Sequence, residues 1–351
     1  MSKAITVAAD LTAEWLTDVL APHLDGAEIT AVTARPVGTG QVSDSLRLHL
    51  TYDRPAPLAA TIIAKIPAAA EASRAAAKAV RTYEVEASFY AQIAGTLDAS
   101  VPACYFSAYD AEDDRYVVLL DDLAPAEPGD QIAGITPEEA AAAVDEMAVL
   151  HATGWNDPDL AALPWLNRND AEASAFTAAM VTVLYDEFKA RYASRLEPQV
   201  IELIERFLPS LGNYLVQEAA ASTLAHGDFR ADNLLFGGAR PVILDWQTCA
   251  FGPGGGDLAY FLGSSLPVQA RRDHEEALVR RHHSGLTARG VSVSWDDCWD
   301  AYRRYAFHGV IMGIGASTLV ERTARGDDMF CTMITRHAHH ALDLDALSLL
   351  P

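Results

Sequence analysis

Cysteine is scarce in this 351-residue chain: Cys104, Cys249, Cys298 and Cys331 lie far apart and form no CxxC pair. That scatter excludes a zinc knot and a secreted disulfide framework, and makes a reduced, cytoplasmic protein the expectation. Positive charge is also short, with 26 Lys plus Arg against 48 Asp plus Glu and a formal net charge of −22. So acidic a chain repels phosphate backbones and anionic lipid, and no local basic patch offsets it, so neither nucleic acid nor a membrane is expected as partner. A nucleotide is still compatible, because its site needs only a few cations. The N-terminus, MSKAITVAADLTAEW, carries Asp10 and Glu14 and no continuous apolar segment, so it does not read as a signal peptide. The longest apolar stretch, Val310 to Val320, falls short of the roughly 20 residues that span a bilayer and reads as a buried helix.

What remains is an ordinary globular composition, half apolar and 21% charged. At roughly 100 to 200 residues per domain the length suits two domains, which need no disulfide or structural metal. From Ile29 to Ile66 the pattern is that of an antiparallel meander: ITAVTARPV, a turn around Gly38 and Gly40, alternating LRLHLTYD, a Pro-rich turn, then the apolar run ATIIAKI. Between Ala68 and Gly95 the composition favours one or two helices. A further strand, RYVVLL, precedes the acidic turn Asp121, Asp122, Leu123. Beyond residue 124 the chain turns mainly helical, opening on Thr136-Pro-Glu-Glu, where Thr136 is a candidate N-cap and Glu139 completes a capping box. Only Leu224 to Trp246 reads as short strands and loops within that helical part.

This irregular stretch holds the densest chemistry. Residues 226 to 233 read HGDFRADN, and twelve residues after Asn233 comes Asp245, closing the apolar run PVILD. Phosphoryl transfer from MgATP needs a carboxylate to accept a hydroxyl proton and oxygen ligands for a hard Mg²⁺ ion. His, Asp and Asn stand here at the spacing of the protein-kinase catalytic loop, with Gly in place of Arg. A kinase also needs a cation on the nucleotide phosphates, and Lys65 is the only Lys in the strongly apolar IIAKI. A buried ammonium implies a carboxylate partner. Glu86 precedes Phe89 and Tyr90 by three and four positions, beside the inward stripe, whereas Glu84 shares a face with Ala87, Ser88 and Ala91. Lys65 is therefore paired with Glu86.

With these motifs the chain resembles the aminoglycoside phosphotransferase and choline kinase-like family, over nearly its whole length. GTGQVSDS together with HGDFRADN is most similar to the ecdysteroid-kinase-like and hydroxyacyl-kinase-like branches. The resemblance implies an α+β, protein-kinase-like bilobal fold, with an N-lobe of antiparallel sheet plus helix over 1–123 and a mainly helical C-lobe over 124–351. It implies ATP and Mg²⁺ as cofactors, Asp228 as the catalytic base, Asn233 and Asp245 as metal ligands, and Arg230 facing the γ-phosphate. Gly38 and Gly40 would belong to a loop over the ATP phosphates, and Asp121, Asp122 and Leu123 to a hinge whose backbone meets adenine. Asp257, in GGGDLAYFL, reads either as a brace for the catalytic-loop backbone or as an ordinary helix N-cap.

Other polar residues read as scaffold. His226 is a packing and hydrogen-bonding residue of its loop, and His151, on a periodic helix, is core. His337, His339 and His340 lack a paired Cys or an HExxH frame and read as a solvated helix face, not a metal site. The expected activity is ATP-dependent phosphorylation of a small hydroxylated molecule, a largely uncharged steroid-like or hydroxyacyl-like alcohol. An aminoglycoside O-phosphotransferase and a nucleotide-binding pseudokinase are the alternatives. Acceptor recognition is expected from Trp295 to Met333, a stretch rich in aromatic and Met side chains that also carries Asp296, Asp297, Asp300, Asp327 and Asp328. The oligomeric state is left open.

Overall fold

A computed structural model describes residues 3–38, 42–167, 171–216, 221–319 and 322–350. The chain divides into two compact units. The first comprises Met1–Leu97, Val101–Pro125 and Asp245–Thr248; the second comprises Asp98–Ser100, Ala126–Leu244 and Cys249–Pro351.

In the first unit helix α1 (Ala13–Leu20) precedes strands β1 (Ile29–Pro36), β2 (Ser43–Tyr52) and β3 (Thr61–Pro67). Helices α2 (Glu71–Ala79) and α3 (Thr82–Gln92) follow, then strands β4 (Cys104–Asp110) and β5 (Arg115–Asp121). The five strands form one sheet in the order β1-β2-β3-β5-β4, every pair antiparallel. Alternation on β2 sends Leu46, Leu48 and Leu50 inward, where they meet Ile62, Ala64, Val117 and Leu119 with Leu16 and Leu20 of α1. Strand β4 is not evident in the sequence, because each of its residues is half-buried and no apolar alternation marks it. The helical stretch after Ala68 breaks into α2 and α3 where Arg81 takes a left-handed backbone, φ 59°.

In the second unit strand β6 (Glu127–Pro128) leads into α4 (Pro137–Thr153), α5 (Pro158–Ala161), α6 (Ala171–Tyr192), α7 (Pro198–Phe207) and α8 (Leu211–Leu215). Four short strands come next: β7 (Thr223–Ala225), β8 (Leu234–Phe236), β9 (Val242–Ile243) and β10 (Ala250–Gly252). Helices α9 (Gly254–Ser265), α10 (Val268–Thr287), α11 (Trp295–Arg304), α12 (His308–Leu319) and α13 (Ala324–Asp343) complete it. The capping box of α4 forms as read: Thr136 Oγ1 accepts from Glu139 N–H at 3.2 Å, and Glu139 Oε2 accepts from Thr136 N–H at 2.8 Å. Helix α12 carries the expected apolar run, with Val310, Ile311 and Ile314 in the core and Leu319 exposed; Val320 lies outside the described residues. No helix among the described residues is long and apolar enough to cross a membrane.

The histidine cluster of α13 corrects the sequence reading. His337 and His340 are fully buried, His337 stacked on Tyr260 and His340 tilted against Tyr302. Only His339 reaches solvent, where it pairs with Glu197. Glycines make room for the two inner rings: a Cβ at Gly309 would stand 2.0 Å from His337 Nε2, and one at Gly263 would stand 2.6 Å from His340 Nδ1. The sequence conceals this, since small residues on α9 and α12 receive the rings.

Candidate active site

Within the first unit, β3 places Lys65 opposite Ser45 on one side and Val118 on the other, so its side chain leaves the middle of the sheet. Its Nζ donates to Glu86 Oε1 at 2.5 Å and to Asp245 Oδ1 at 2.7 Å. Glu86, on α3, is buried and also accepts from the Tyr116 hydroxyl at 2.5 Å. Glu84 turns away to Arg81, in agreement with the helix-face argument. Burial alone would lower the Lys65 pKa, but the adjacent charges of Asp245 and Glu86 outweigh it and hold the ammonium above its ordinary value. The bond from Lys65 to Asp245 was not foreseen; 180 positions separate the two.

Asp245 occupies a left-handed backbone, φ 66°, a conformation that costs a non-glycine residue about 1–3 kcal/mol and clusters at functional sites. Its neighbours hold it there. The fully buried Trp246 stacks on Phe89 of α3 with centroids 3.9 Å apart, and Gln247 Nε2 donates to Asp245 Oδ2 at 3.1 Å. Of the expected phosphate loop, Gly38 has φ 72° with open space where a Cβ would stand, which suits a turn only glycine makes cheaply. Gly40 lies outside the described residues. At the expected hinge, Asp121 ends β5 and accepts from the Tyr105 hydroxyl, while Asp122 takes a two-point hydrogen bond from Arg47 at 2.8 and 3.0 Å. These two side chains anchor the sheet, and Leu123 follows directly in the chain.

Within the second unit the HGDFRADN loop is laced from below. Asp257, in the first turn of α9, accepts from the backbone N–H of His226 at 2.6 Å and of Gly227 at 2.8 Å. It is thus the brace and not merely a cap. Burial would raise its carboxyl, but the hydrogen bond from His151 and then the contacts with His226 outweigh that, and its pKa lies below the usual carboxylate value. His226 is scaffold as expected: Nδ1 accepts from Asp228 N–H at 3.2 Å, so Nε2 carries the proton donated to the Leu244 carbonyl at 2.8 Å. Asn233 Nδ2 donates to the Asp228 carbonyl at 2.8 Å and to its carboxylate at 2.9 Å, so the two motif residues are locked to one another.

Arg230 Nε reaches Asp228 at 3.2 Å and its Nη1 reaches Asp232 at 2.8 Å and Met329 Sδ at 3.7 Å. Sequence reasoning missed two further neighbours of this loop. The Tyr260 phenol lies beside Asp228, and burial, then the charge of that carboxylate, raises its pKa. His308 Nε2 stands 3.5 Å from the Gly227 carbonyl, its pKa lowered by burial. A signal for Tyr260 existed, since it follows the brace Asp257 by three positions and so shares its helix face. Of the aromatic and Met residues expected to meet the acceptor, Tyr302, Phe307, Phe330 and Met333 are core, and Met329 is the one seen against Arg230.

Among the described residues no group of three or more His, Cys, Asp or Glu side chains is arranged to hold a metal. Zinc and calcium want such cages, whereas Mg²⁺ is held through one or two carboxylates completed by substrate phosphates and water. Asn233 in the second unit and Asp245 in the first each carry an oxygen of the kind that sparse requirement calls for. The amide nitrogen of Asn233 is turned to Asp228, which leaves Oδ1 as the end for a hard cation.

A family model described as the ecdysteroid kinase-like family matches residues 38–291. Among solved structures, choline kinase from Cryptosporidium parvum superposes with a TM-score of 0.60 at 11% identity, over 96% of this chain and 98% of that one. A Ralstonia eutropha protein classed with the aminoglycoside phosphotransferases gives 0.57 at 18% identity, over 93% and 97%. A choline/ethanolamine kinase family protein from Mesorhizobium loti gives 0.52 at 16%, over 92% and 94%. At these identities the likeness is one of fold: antiparallel sheet followed by a helical part, as in the protein-kinase-like phosphotransferases. Mouse acyl-CoA dehydrogenase family member 10 is 28% identical over 127 residues, 32% of this chain, and the match spans only 12% of that protein's length.

Proposed function

The chain belongs to the ecdysteroid kinase-like family, and on that premise we propose that it transfers the γ-phosphate of ATP to a hydroxyl of a small, largely uncharged molecule. One observation carries the reading: Lys65, Glu86 and Asp245 converge with hydrogen bonds of 2.5 and 2.7 Å on a buried ammonium. Buried charges of this kind stabilise a fold little, so an arrangement that collects two of them with a half-buried third on a strained backbone points to chemistry. In this reading Lys65 binds the nucleotide phosphates, and Glu86 with Tyr116 fixes its position. Asn233 and Asp245 are the oxygen ligands of Mg²⁺, which when bound offsets the negative charge developing on the phosphates.

Asp228 accepts the proton of the acceptor hydroxyl as its oxygen bonds to the γ-phosphorus and the bond to the β-phosphate oxygen breaks, giving a phosphate monoester and ADP. Asn233 and Tyr260 orient that carboxylate, and Arg230 supplies a permanent charge for the γ-phosphate once it leaves Asp228. Gly38 and Gly40 belong to the phosphate loop, and the backbone of Asp121 to Leu123 to the adenine hinge.

The surroundings of Asp228 and Arg230 support an uncharged acceptor. They include a phenol beside Asp228, an imidazole kept neutral by burial, and a thioether against Arg230. Four of the five carboxylates of the expected acceptor stretch are engaged elsewhere: Asp327 with Tyr192 and Arg322, Asp328 with Arg195, Asp297 with Ser294, and Asp300 with Arg303. A steroid-like or hydroxyacyl-like alcohol fits such a wall. The test is ATP consumption against hydroxysteroid, hydroxyacyl and kanamycin-type acceptors at two salt concentrations. Turnover of neutral alcohols with little salt response is expected, since only charged pairs are screened over about 8 Å at physiological ionic strength. Turnover of aminoglycosides alone, quenched by salt, overturns the acceptor class. ATP binding without phosphate transfer to any acceptor overturns the enzyme reading.

A further inference from the structure

Behind the brace lies a second histidine that the site description does not use. His151 Nε2 stands 3.2 Å from Asp257 Oδ2, and His151 Nδ1 stands 2.9 Å from His282 Nε2 on α10, the rings edge to face at 83°. All three side chains are buried. The His151 ring is boxed: a Cβ at Gly254 would come within 2.8 Å of its Nδ1, and the Thr223 hydroxyl holds its backbone carbonyl at 2.5 Å.

The proton positions along this line follow from chemistry. Asp257 is held ionised and only accepts, so His151 must donate from Nε2. A neutral His151 then offers a lone pair at Nδ1, and that lone pair needs a donor. His282 is the residue in reach, and burial keeps its ring neutral, well below the ordinary pKa of histidine. With its one proton on Nε2, it leaves at Nδ1 a lone pair, and that atom has no partner among the described residues. The opposite assignment would strand a buried N–H there.

We propose that His282 is a positioning residue for phosphoryl transfer: by donating Nε2–H to His151 it holds the His151 proton on Nε2, where that proton orients Asp257 beneath the catalytic loop. His282 touches neither substrate nor reacting atom. It acts through His151 and Asp257 on the amides of His226 and Gly227, and so on the placement of Asp228. Outer partners of this kind fix tautomer and orientation in other carboxylate–histidine systems.

The proposal rests on the phosphotransferase reading in its kinetic arm alone; two other readouts stand without it. Nitrogen-15 spectra of histidine-labelled full-length protein at pH 7 should show His151 neutral with the proton on Nε2. In His282→Gln an amide N–H replaces Nε2–H, and hydrogen exchange at the His226 and Gly227 amides should match the unsubstituted protein. In His282→Leu that donor is gone, and those amides should exchange faster while a single cooperative unfolding transition remains. With an acceptor in hand, His282→Leu should lower kcat by about tenfold or more at a nearly unchanged KM for ATP, and His282→Gln should restore it. A doubly protonated His151, a proton on its Nδ1, or unaltered loop protection in His282→Leu overturns the assignment. If His282→Leu does not fold, the His151 spectrum and His282→Gln decide: loss of loop protection in the Gln variant also overturns it.

Discussion

Lys65 answers to two carboxylates of different kinds, and substitutions should separate them. Removing one partner from a buried ion pair leaves the other charge uncompensated, at a cost of about 3–5 kcal/mol. Glu86→Gln should therefore destabilise the first unit strongly. Glu84→Gln, which breaks the more exposed pair with Arg81, should cost under about 1 kcal/mol. Combining Lys65→Met with Glu86→Gln should cost clearly less than the two singly, with a coupling of about 0.5–3 kcal/mol in urea unfolding and in kcat/KM. Strict additivity would refute the unit. At the other carboxylates the expected split is kinetic. Asp228→Asn should abolish transfer while MgATP affinity, read by titration calorimetry with a nonhydrolysable analogue, stays within a few-fold. Asp245→Asn should weaken both, because that residue holds Lys65 and, in the proposed role, the metal as well.

Helices α9, α12 and α13 show how tightly two elements can meet when one supplies glycine. Gly309 lies against the ring of His337, and the buried ring has nowhere to retreat. Gly309→Ala should therefore destabilise by about 1–3 kcal/mol or more, the usual range for overpacking. Gly315 sits on the same helix with nothing within 4 Å of its absent Cβ. There the gain in helix propensity is unopposed, so Gly315→Ala should be neutral or stabilising by up to about 1 kcal/mol. Thermal unfolding of the two variants side by side makes the comparison, and equal effects would contradict the packing.

Over the whole molecule, the three most strongly depressed imidazoles should dominate the loss of stability in mild acid. Burial depresses His337 to about 3 and holds His282 and His340 well below the ordinary value. A depressed folded pKa means that the unfolded chain binds the proton first. The stabilisation is complete above the unfolded value near 6.5 and is lost as pH falls below it. While the folded rings stay neutral, each contributes a loss of about 1 kcal/mol between pH 6.5 and 5.5. Urea unfolding at pH 7.5, 6.5 and 5.5 should follow that slope, and His340→Phe should flatten it if the larger ring is accommodated. An excess of acidic groups acts more diffusely: with a formal charge of −22, moderate salt should stabilise the protein by screening self-repulsion.

Residues that act through neighbours in the chain were legible before any coordinates. HGDFRADN and the run ending at Asp245 declare themselves because a loop and a strand end present their groups at short, regular spacing. Thr136 with Glu139, and Glu86 in preference to Glu84, follow from helical periodicity, which is a local property. Other relations depend on chain segments that only packing brings together. The bond from Lys65 to Asp245 crosses 180 positions, and that from His151 to His282 crosses 131. The inward turn of His337 and His340 belongs with these, because whether an imidazole faces water or a neighbouring helix depends on whether that helix carries glycine at the contact. No pattern within α13 records the glycines of α9 and α12. The proposed chemistry is written in local spacing; the supports that hold it, and the burial that sets their charge, exist only once distant segments share a core.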